Sequence, residues 1–322
     1  MEIIRTLFLT FMLLGACSSS KYVVPSPVNG GGNKGNNSEQ TQNGEDPEGS
    51  EQVPPEEVPE GGLYADGKDD ATYDLILSRG YNMEPPDTSG EHAQEPFRHI
   101  RQSWDATLKK YVFDFYIHIK NDDDRGLPNV TDRQRNEIKT DGKSPEKIVA
   151  KTEGETLRMT WKFRLPEGMK TTTKFCHVHQ LKGIDNKEGN ADVSLPVITY
   201  TCRSQSNGTQ QFQVIHVGRT EDNTGNVYLA KANLADFLGE WVSVEETVTF
   251  AKDGRYQLKI FRMRDGKQLV NVDKKGIDMW RSGITGMRPK WGIYRSFGEG
   301  RSLESELRDE VLKFADFLIE KQ

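Results

Sequence analysis

The sequence predicts an all-β domain, a sandwich of two packed antiparallel sheets. Apolar and polar residues alternate in YVFDFYIHIK (111–120), LRMTWKFRL (157–165), LPVITYTCR (195–203), QFQVIHV (211–217), WVSVEETVTF (241–250) and RYQLKIFRM (255–263). These runs are rich in β-branched and aromatic residues, and turn residues separate most of them, the pattern of half-buried strands. In the second run, Leu157, Met159, Trp161, Phe163 and Leu165 share one face while Arg158, Thr160, Lys162 and Arg164 share the other. One side of such a strand packs and the other stays wet. Strong helical patterns are scarce, and the best of them, ELRDEVLKFADFLIEK (306–321), fits a helix or a strand by periodicity alone.

The chain begins MEIIRTLFLTFMLLGAC, one arginine followed by a short apolar stretch. Crossing a bilayer takes about 20 apolar residues, so residues 1–17 read as a secretion signal instead. Leu14, Gly15 and Ala16 directly before Cys17 resemble a bacterial lipoprotein box. That resemblance makes Cys17 the expected lipidated first residue of a protein anchored to a membrane of the bacterial cell envelope, with a plain signal cut nearby as the alternative. Residues 18–62 are rich in Gly, Asn, Glu, Pro and Ser, too poor in apolar surface to offset their ordering entropy, and are expected to form a flexible acidic tether. The tether holds eight acidic and two basic residues, which matches the −6 of the whole chain and leaves the rest near zero.

Residues 63–322 are enough for one sizeable core and one domain, expected to be monomeric. Cys176 and Cys202 read as a disulfide between strands or as two free buried thiols. Neither they nor the scattered histidines show a structural zinc spacing. Trp161, Trp241 and Trp291 read as core, whereas Trp104 and Trp280 are divided between core and stacking on sugar rings. His92, His99, His118 and His216 read as surface or satisfied core residues.

Three segments carry polar side chains at strand spacing. In KFCHVHQLKG (174–183), period two puts Phe175, His177, His179 and Leu181 on one face and Cys176, Val178 and Gln180 on the other. With Cys176 and Val178 in the core, both histidines are expected on the open face. DRQRNEIKT (132–140) places Arg133, Arg135, Glu137 and Lys139 together, and RPKWGIYRS (288–296) places Lys290, Gly292 and Tyr294 together. A glycine inside a strand marks close approach of a ligand or another backbone.

RxExK at 135–139, HxH at 177–179 and KxGxY at 290–294, in that order, resemble the strand motifs of jelly-roll polysaccharide lyases. Family 7 alginate lyases carry RxExR, QxH and KxGxY; glucuronan lyases and heparin lyase I are similar β-jelly rolls that also use a histidine and a tyrosine. The resemblance spans residues 130–320 and implies a concanavalin-like jelly roll with a concave substrate groove and a strand as its last segment. His177 stands where the alginate lyases have glutamine, and Lys139 where they have a second arginine, which leaves the uronate unspecified.

What the resemblance implies is β-elimination on a uronic-acid polysaccharide, with no cofactor and no metal. The carbon-5 proton beside a carboxylate is very weakly acidic, so the carboxylate must be neutralised first. Arg135 suits that task through its planar fork, with Glu137 orienting it or bonding sugar hydroxyls and His177 adding a donor. His179 or Tyr294 is the base, and Tyr294 the acid. Lys290 would lower the Tyr294 phenol by charge or bind the next carboxylate, and Arg133 and Lys139 complete the substrate-binding set. The partner is an anionic polymer rather than nucleic acid. A carbohydrate-binding lipoprotein of the same fold is the second reading. A glycoside hydrolase is weaker, because Glu245 and Glu246 are strand neighbours that point to opposite faces.

Overall fold

The computed structural model describes residues 57–88, 97–120, 122–127, 129–218 and 225–322. The signal segment, Cys17, most of the tether and His92 lie outside the described residues.

Fifteen strands are described: β1 (Gly62–Leu63), β2 (Asn82–Glu84), β3 (Ile100–Asp105), β4 (Lys110–Ile117), β5 (Arg133–Lys139), β6 (Thr156–Arg164), β7 (Cys176–Ile184), β8 (Ile198–Ser204), β9 (Gln210–His216), β10 (Val227–Asn233), β11 (Trp241–Thr249), β12 (Gly254–Arg262), β13 (Gln268–Ile277), β14 (Gly286–Ser296) and β15 (Glu310–Lys321). They form two antiparallel sheets. The first runs β13-β12-β11-β6-β15-β4-β3, with β1 added beside β15; the second runs β10-β9-β8-β7-β14-β5-β2. Because Gly62 is paired with Leu318, the last residue assigned to the tether already belongs to a sheet.

Each strand expected from alternation is present, shifted by a few residues at most. The apolar face of β6 is the centre of the core: Leu157, Met159, Trp161, Phe163 and Leu165 are all at most 2 % exposed. They meet Val178, Leu181, Tyr200 and Phe212 of the second sheet in one cluster. Trp291 is buried with them, and Trp241 is buried in a smaller cluster with Val112 and Ala315. Trp104 stacks edge-on against Tyr111 on the first sheet, and Trp280 packs against the main core, so neither lies on the sheet that carries the site. Cys176 and Cys202 are buried free thiols, and burial pushes Cys176 up to about 12.

Two irregularities decide what the sequence left open. In β15 the pairing with β6 shifts between Ala315 and Leu318, and Asp316 takes a positive φ of 55°. The extra residue spaces the buried positions Leu312, Phe314, Phe317 and Ile319 by two, three and two. That spacing imitates a helical period, yet the segment is a strand. Lys110 and Lys162 both bond the Asp316 carboxylate.

The second irregularity is in β7. Against β8, His177 pairs with Thr201 while His179 pairs with Tyr200, so Val178 is an extra residue in the ladder. A bulge of this kind re-aims the side chains beyond it. His177 therefore keeps the open face, whereas His179 turns into the core and Gln180 takes the open face in its place.

Candidate active site

The open face of the second sheet is organised in lateral rows of cross-strand partners. One row runs Arg135 on β5, Tyr294 on β14, His177 on β7 and Thr201 on β8. The adjoining row runs Lys139, Lys290, Gln180 and Thr199. Gly292 sits between Lys290 and Tyr294 with φ at 141°. A Cβ there would come within 2.1 Å of the Asn136 carbonyl oxygen on β5. The glycine thus serves a close approach of two backbones, the second of the two readings open from the sequence.

Beneath Tyr294 lies a buried charge network. Glu84 of β2 is directly opposite Glu137 of β5, a like-charge pair that would be unfavourable alone. Lys290 resolves it: its Nζ donates to Glu84 at 2.6 Å and contacts Glu137 at 2.7 Å. Lys139 donates to the other oxygen of Glu84 at 2.6 Å. Arg135 is 7 % exposed, donates to Asp124 through Nε (2.7 Å) and Nη2 (3.2 Å), and donates to Glu137 through Nη1 (2.6 Å). Its guanidinium carbon sits 3.7 Å from the centroid of the Tyr294 ring, a cation–π contact. Gln180 closes the network by donating to Glu137. Burial alone would raise the Glu84 and Glu137 carboxyls, but Lys290 and Arg135 hold both below the ordinary range.

Several expectations are corrected by these contacts. Arg135 is not on a solvent-filled face; its fork is occupied by three carboxylates and does not await a substrate. Lys290, 2 % exposed, is bound by Glu84 and Glu137 and does not set the Tyr294 phenol. Lys139 and Glu137 are likewise parts of the network rather than free contacts for sugar. His179 is 1 % exposed, bonded through Nε2 to Glu246 at 3.1 Å and packed on Trp161 and Trp291 with ring centroids 4.7 and 5.4 Å away. It is a core residue. Glu246 also accepts from the hydroxyls of Tyr200 and Tyr256, each at 2.8 Å, so the imidazole completes a polar cluster between the sheets.

Three expected residues do converge. Arg133 donates through Nη1 to the Tyr294 hydroxyl at 3.0 Å, while Nε and Nη2 hold Asp132 at 2.8 Å each. The His177 ring lies 6.0 Å from that of Tyr294, and both flank Phe175 at 4.9 Å. Nδ1 of His177 bonds Thr201 Oγ1 at 2.8 Å, which fixes the ring and leaves Nε2 for another group. Burial, reinforced by Arg203, Arg135 and Lys182, pushes His177 down to about 3, so it is neutral at physiological pH. Tyr294 is raised by burial against the opposing pull of Arg135 and Arg133.

Other contributors were not singled out from the sequence. Glu84 stands in a three-residue strand with no pattern to mark it, and Asp124 in a run of three aspartates. Arg203 and Arg288 could have been found by continuing alternation along strands already identified, Arg203 from Thr199 and Thr201 and Arg288 from Lys290; Lys182 could not, because only the bulge at Val178 brings it to the open face. These three have no carboxylate partner among the described residues, and Nε of Arg203 and of Arg288 is buried without a hydrogen bond. Lys182 is opposite Arg288. Burial, with Lys290, Arg135 and Arg288 nearby, pushes its amine down to about 8. A shallow hollow of about 440 Å³ lined by Thr209–Gln211 and Lys231–Asn233 lies on β9 and β10, where Gln211 is the cross-strand partner of Arg203.

Solved structures share this architecture. A PL-14 alginate lyase from Aplysia kurodai superposes with a TM-score of 0.51 at 11 % identity, covering 81 % of this chain and 98 % of its own. A family 7 alginate lyase, solved as a histidine and tyrosine double variant with substrate bound, gives 0.50 at 13 %, covering 78 % and 95 %. The fold is a β-jelly roll like theirs. An endo-β-1,4-glucuronan lyase from the fungus Trichoderma reesei gives 0.46 at 13 %, covering 74 % and 94 %. No protein-family model matches the chain, and no curated protein matches it either.

Within this jelly roll the two face arginines should separate cleanly under mutation. Arg135→Ala leaves Asp124, Glu84 and Glu137 short of a buried cation and is expected to cost about 3–5 kcal/mol of stability. Arg133→Ala, at the rim, is expected to cost about 1 kcal/mol or less. Urea unfolding monitored by tryptophan fluorescence checks this, and equal stability of the two variants would contradict the network described.

Proposed function

We propose that the chain is a polysaccharide lyase that cleaves a uronic-acid polymer by β-elimination at Tyr294. The observation that carries this reading is the Tyr294 hydroxyl, held by Arg133 and stacked on Arg135, beside a neutral His177 on a face with unpaired cations. In the reaction the bond from carbon 5 to hydrogen breaks, a carbon 4–carbon 5 double bond forms and the oxygen on carbon 4 departs. Tyr294 in its phenolate form takes the carbon-5 proton and returns it to the departing oxygen, so one residue is both base and acid. Burial raises the Tyr294 phenol overall, and the two guanidiniums beside it oppose that shift and so lower the cost of the phenolate on which this cycle starts. His177, pushed down to about 3, is too weak a base for the task; it orients the substrate carboxylate, which Arg203, Lys182 and Arg288 attract and neutralise.

The fold likeness supports the reading at the level of architecture, and the uronate itself is open. The chain is further proposed to be a monomer, anchored in the envelope by lipid at Cys17 and held off the membrane by its acidic tether. A second reading, capture of glycans without cleavage, is favoured by one observation: the absence of His179 from the open face. The product assay separates the two. The domain is incubated with glucuronan-, alginate-, heparin- and ulvan-type polymers while the ultraviolet absorbance of the unsaturated product is followed. Absorbance is expected to grow with one of them and to fall about 10²–10⁴-fold in Tyr294→Phe. Binding of a polymer without any absorbance would leave the capture reading instead.

The face cations set a pH dependence. Lys182 is charged below about 8 and neutral above it, so raising the pH from 7 to 9 removes a positive charge that the polymer's carboxylates need. KM is expected to rise several-fold over that interval, and Lys182→Arg, which keeps the charge, to flatten the rise. A KM independent of pH through 9 in the unaltered protein would contradict the role given to Lys182.

A further inference from the structure

A second cluster of chemistry-bearing residues lies outside the network described above, where the chain enters β3 and leaves β4. His99, His118 and Asp122 offer ring nitrogens and a carboxylate oxygen that all lie within 4.8 Å of one another. His99 Nε2 is 2.8 Å from one Asp122 oxygen, and His118 Nδ1 is 3.3 Å from the other. A tetrahedral zinc ion with bonds of about 2.0–2.1 Å has ligand atoms about 3.3 Å apart. The two nitrogens reach different oxygens of Asp122 at distances close to that spacing, and small rotations of these side chains would bring all three groups around one ion.

A second feature bears on the same point. The other nitrogen of His99, Nδ1, is 3.0 Å from Asp87. Asp87 is 1 % exposed and is itself fixed by the Tyr73 hydroxyl at 2.8 and 2.9 Å and by Arg98 Nη1 at 3.1 Å. With Nδ1–H donating to Asp87, Nε2 meets the Asp122 carboxylate lone pair to lone pair unless a cation stands between them. A carboxylate behind a histidine whose far nitrogen faces a metal is the usual outer support of a zinc site. A proton closes the same gap in the metal-free protein, and a metal ion would replace it while also engaging His118.

We propose that His99, His118 and Asp122, backed by Asp87, form a binding site for one divalent transition metal ion of the zinc class. Two imidazoles and one carboxylate suit such an ion better than calcium or magnesium, which favour all-oxygen shells. His118 is partly exposed, with 31 % of its side chain open, and gives the ion a path in and room for a fourth ligand from solvent. The site has a structural consequence for the open face. Asp122 is two residues from Asp124, which holds Arg135 under Tyr294. Gln134 of β5 bonds the carbonyl oxygens of both His118 and Asp122. A bound ion would therefore brace the segment that positions Arg135, which makes its role one of positioning rather than chemistry.

The test is calorimetric titration of zinc chloride into untagged, chelator-treated full-length protein, paired with thermal unfolding. One equivalent is expected to bind, with Tm rising about 5 °C or more at a hundredfold excess over Kd. His118→Ala is expected to abolish binding, Asp87→Asn to weaken it about 10–100-fold, and His216→Ala, a histidine on β9, to leave it unchanged. Failure of zinc to bind overturns the proposal, as does binding that survives intact in both His118→Ala and His118→Gln. Because the readouts are binding and Tm, a negative result here leaves the lyase reading standing, and loss of lyase activity leaves this one standing.

Discussion

Arg135 under the ring of Tyr294 is the contact on which the open face depends. A guanidinium buried this deeply must be surrounded by acceptors, and Asp124, Glu137 and Glu84 supply them from a loop, its own strand and the neighbouring edge strand. Bringing three carboxylates to one place creates a repulsion that Lys290 and Lys139 then remove. The result is a closed set of charges that fixes the height and tilt of a single phenol. Burying ion pairs is a poor source of net stability, because desolvation offsets most of the attraction. On the proposed lyase reading its use is to hold Tyr294 in place before a substrate arrives, so that no reorganisation is needed when charge develops.

The division of labour on the sheet follows from this. Cations inside the network are neutralised and serve geometry; those outside it, Arg203, Lys182 and Arg288, have no carboxylate partner among the described residues and, on the proposed reading, serve an incoming anion. The depressed amine of Lys182 is a direct sign of that surplus, since the neighbouring cations Lys290, Arg135 and Arg288 add to the effect of burial. His177 illustrates the same field from the other side: surrounded by arginines and largely desolvated, it stays neutral and can bond a carboxylate without carrying charge. A chain whose net charge outside residues 18–62 is near zero thus presents one locally positive face.

Much of this was legible in the residues. Alternation located most of the strands, and the face of β6 was read correctly side chain by side chain, but β10 and β13 were not singled out and β15 stayed undecided between helix and strand. The motifs on β5, β7 and β14 do become neighbours, in the lateral row Arg135, Tyr294, His177. What alternation could not reveal is where it breaks. One extra residue at Val178 sends His179 inward and Gln180 outward, and no residue type in HVHQ announces it. One extra residue near Asp316 gives β15 a helical spacing. The sequence also says nothing of what stands opposite a charged strand, so the burial of Arg135 and Lys290 depended on Glu84, a residue in a three-residue strand roughly fifty positions away from its partner arginine. Burial of charge is a property of pairs of segments, and single-segment patterns are blind to it.

The account's central claim is that substrate meets the protein around Tyr294, with its carboxylate received by the groups that the network leaves free. Crystals of the Tyr294→Phe variant soaked with a uronate oligosaccharide test this most directly. The expected density places a uronate ring against position 294, carbon 5 toward the ring edge and the carboxylate within hydrogen-bonding distance of His177 or Arg203. An oligosaccharide seated elsewhere, such as the hollow over β9 and β10, or bound at position 294 with its carboxylate turned to solvent, would contradict it.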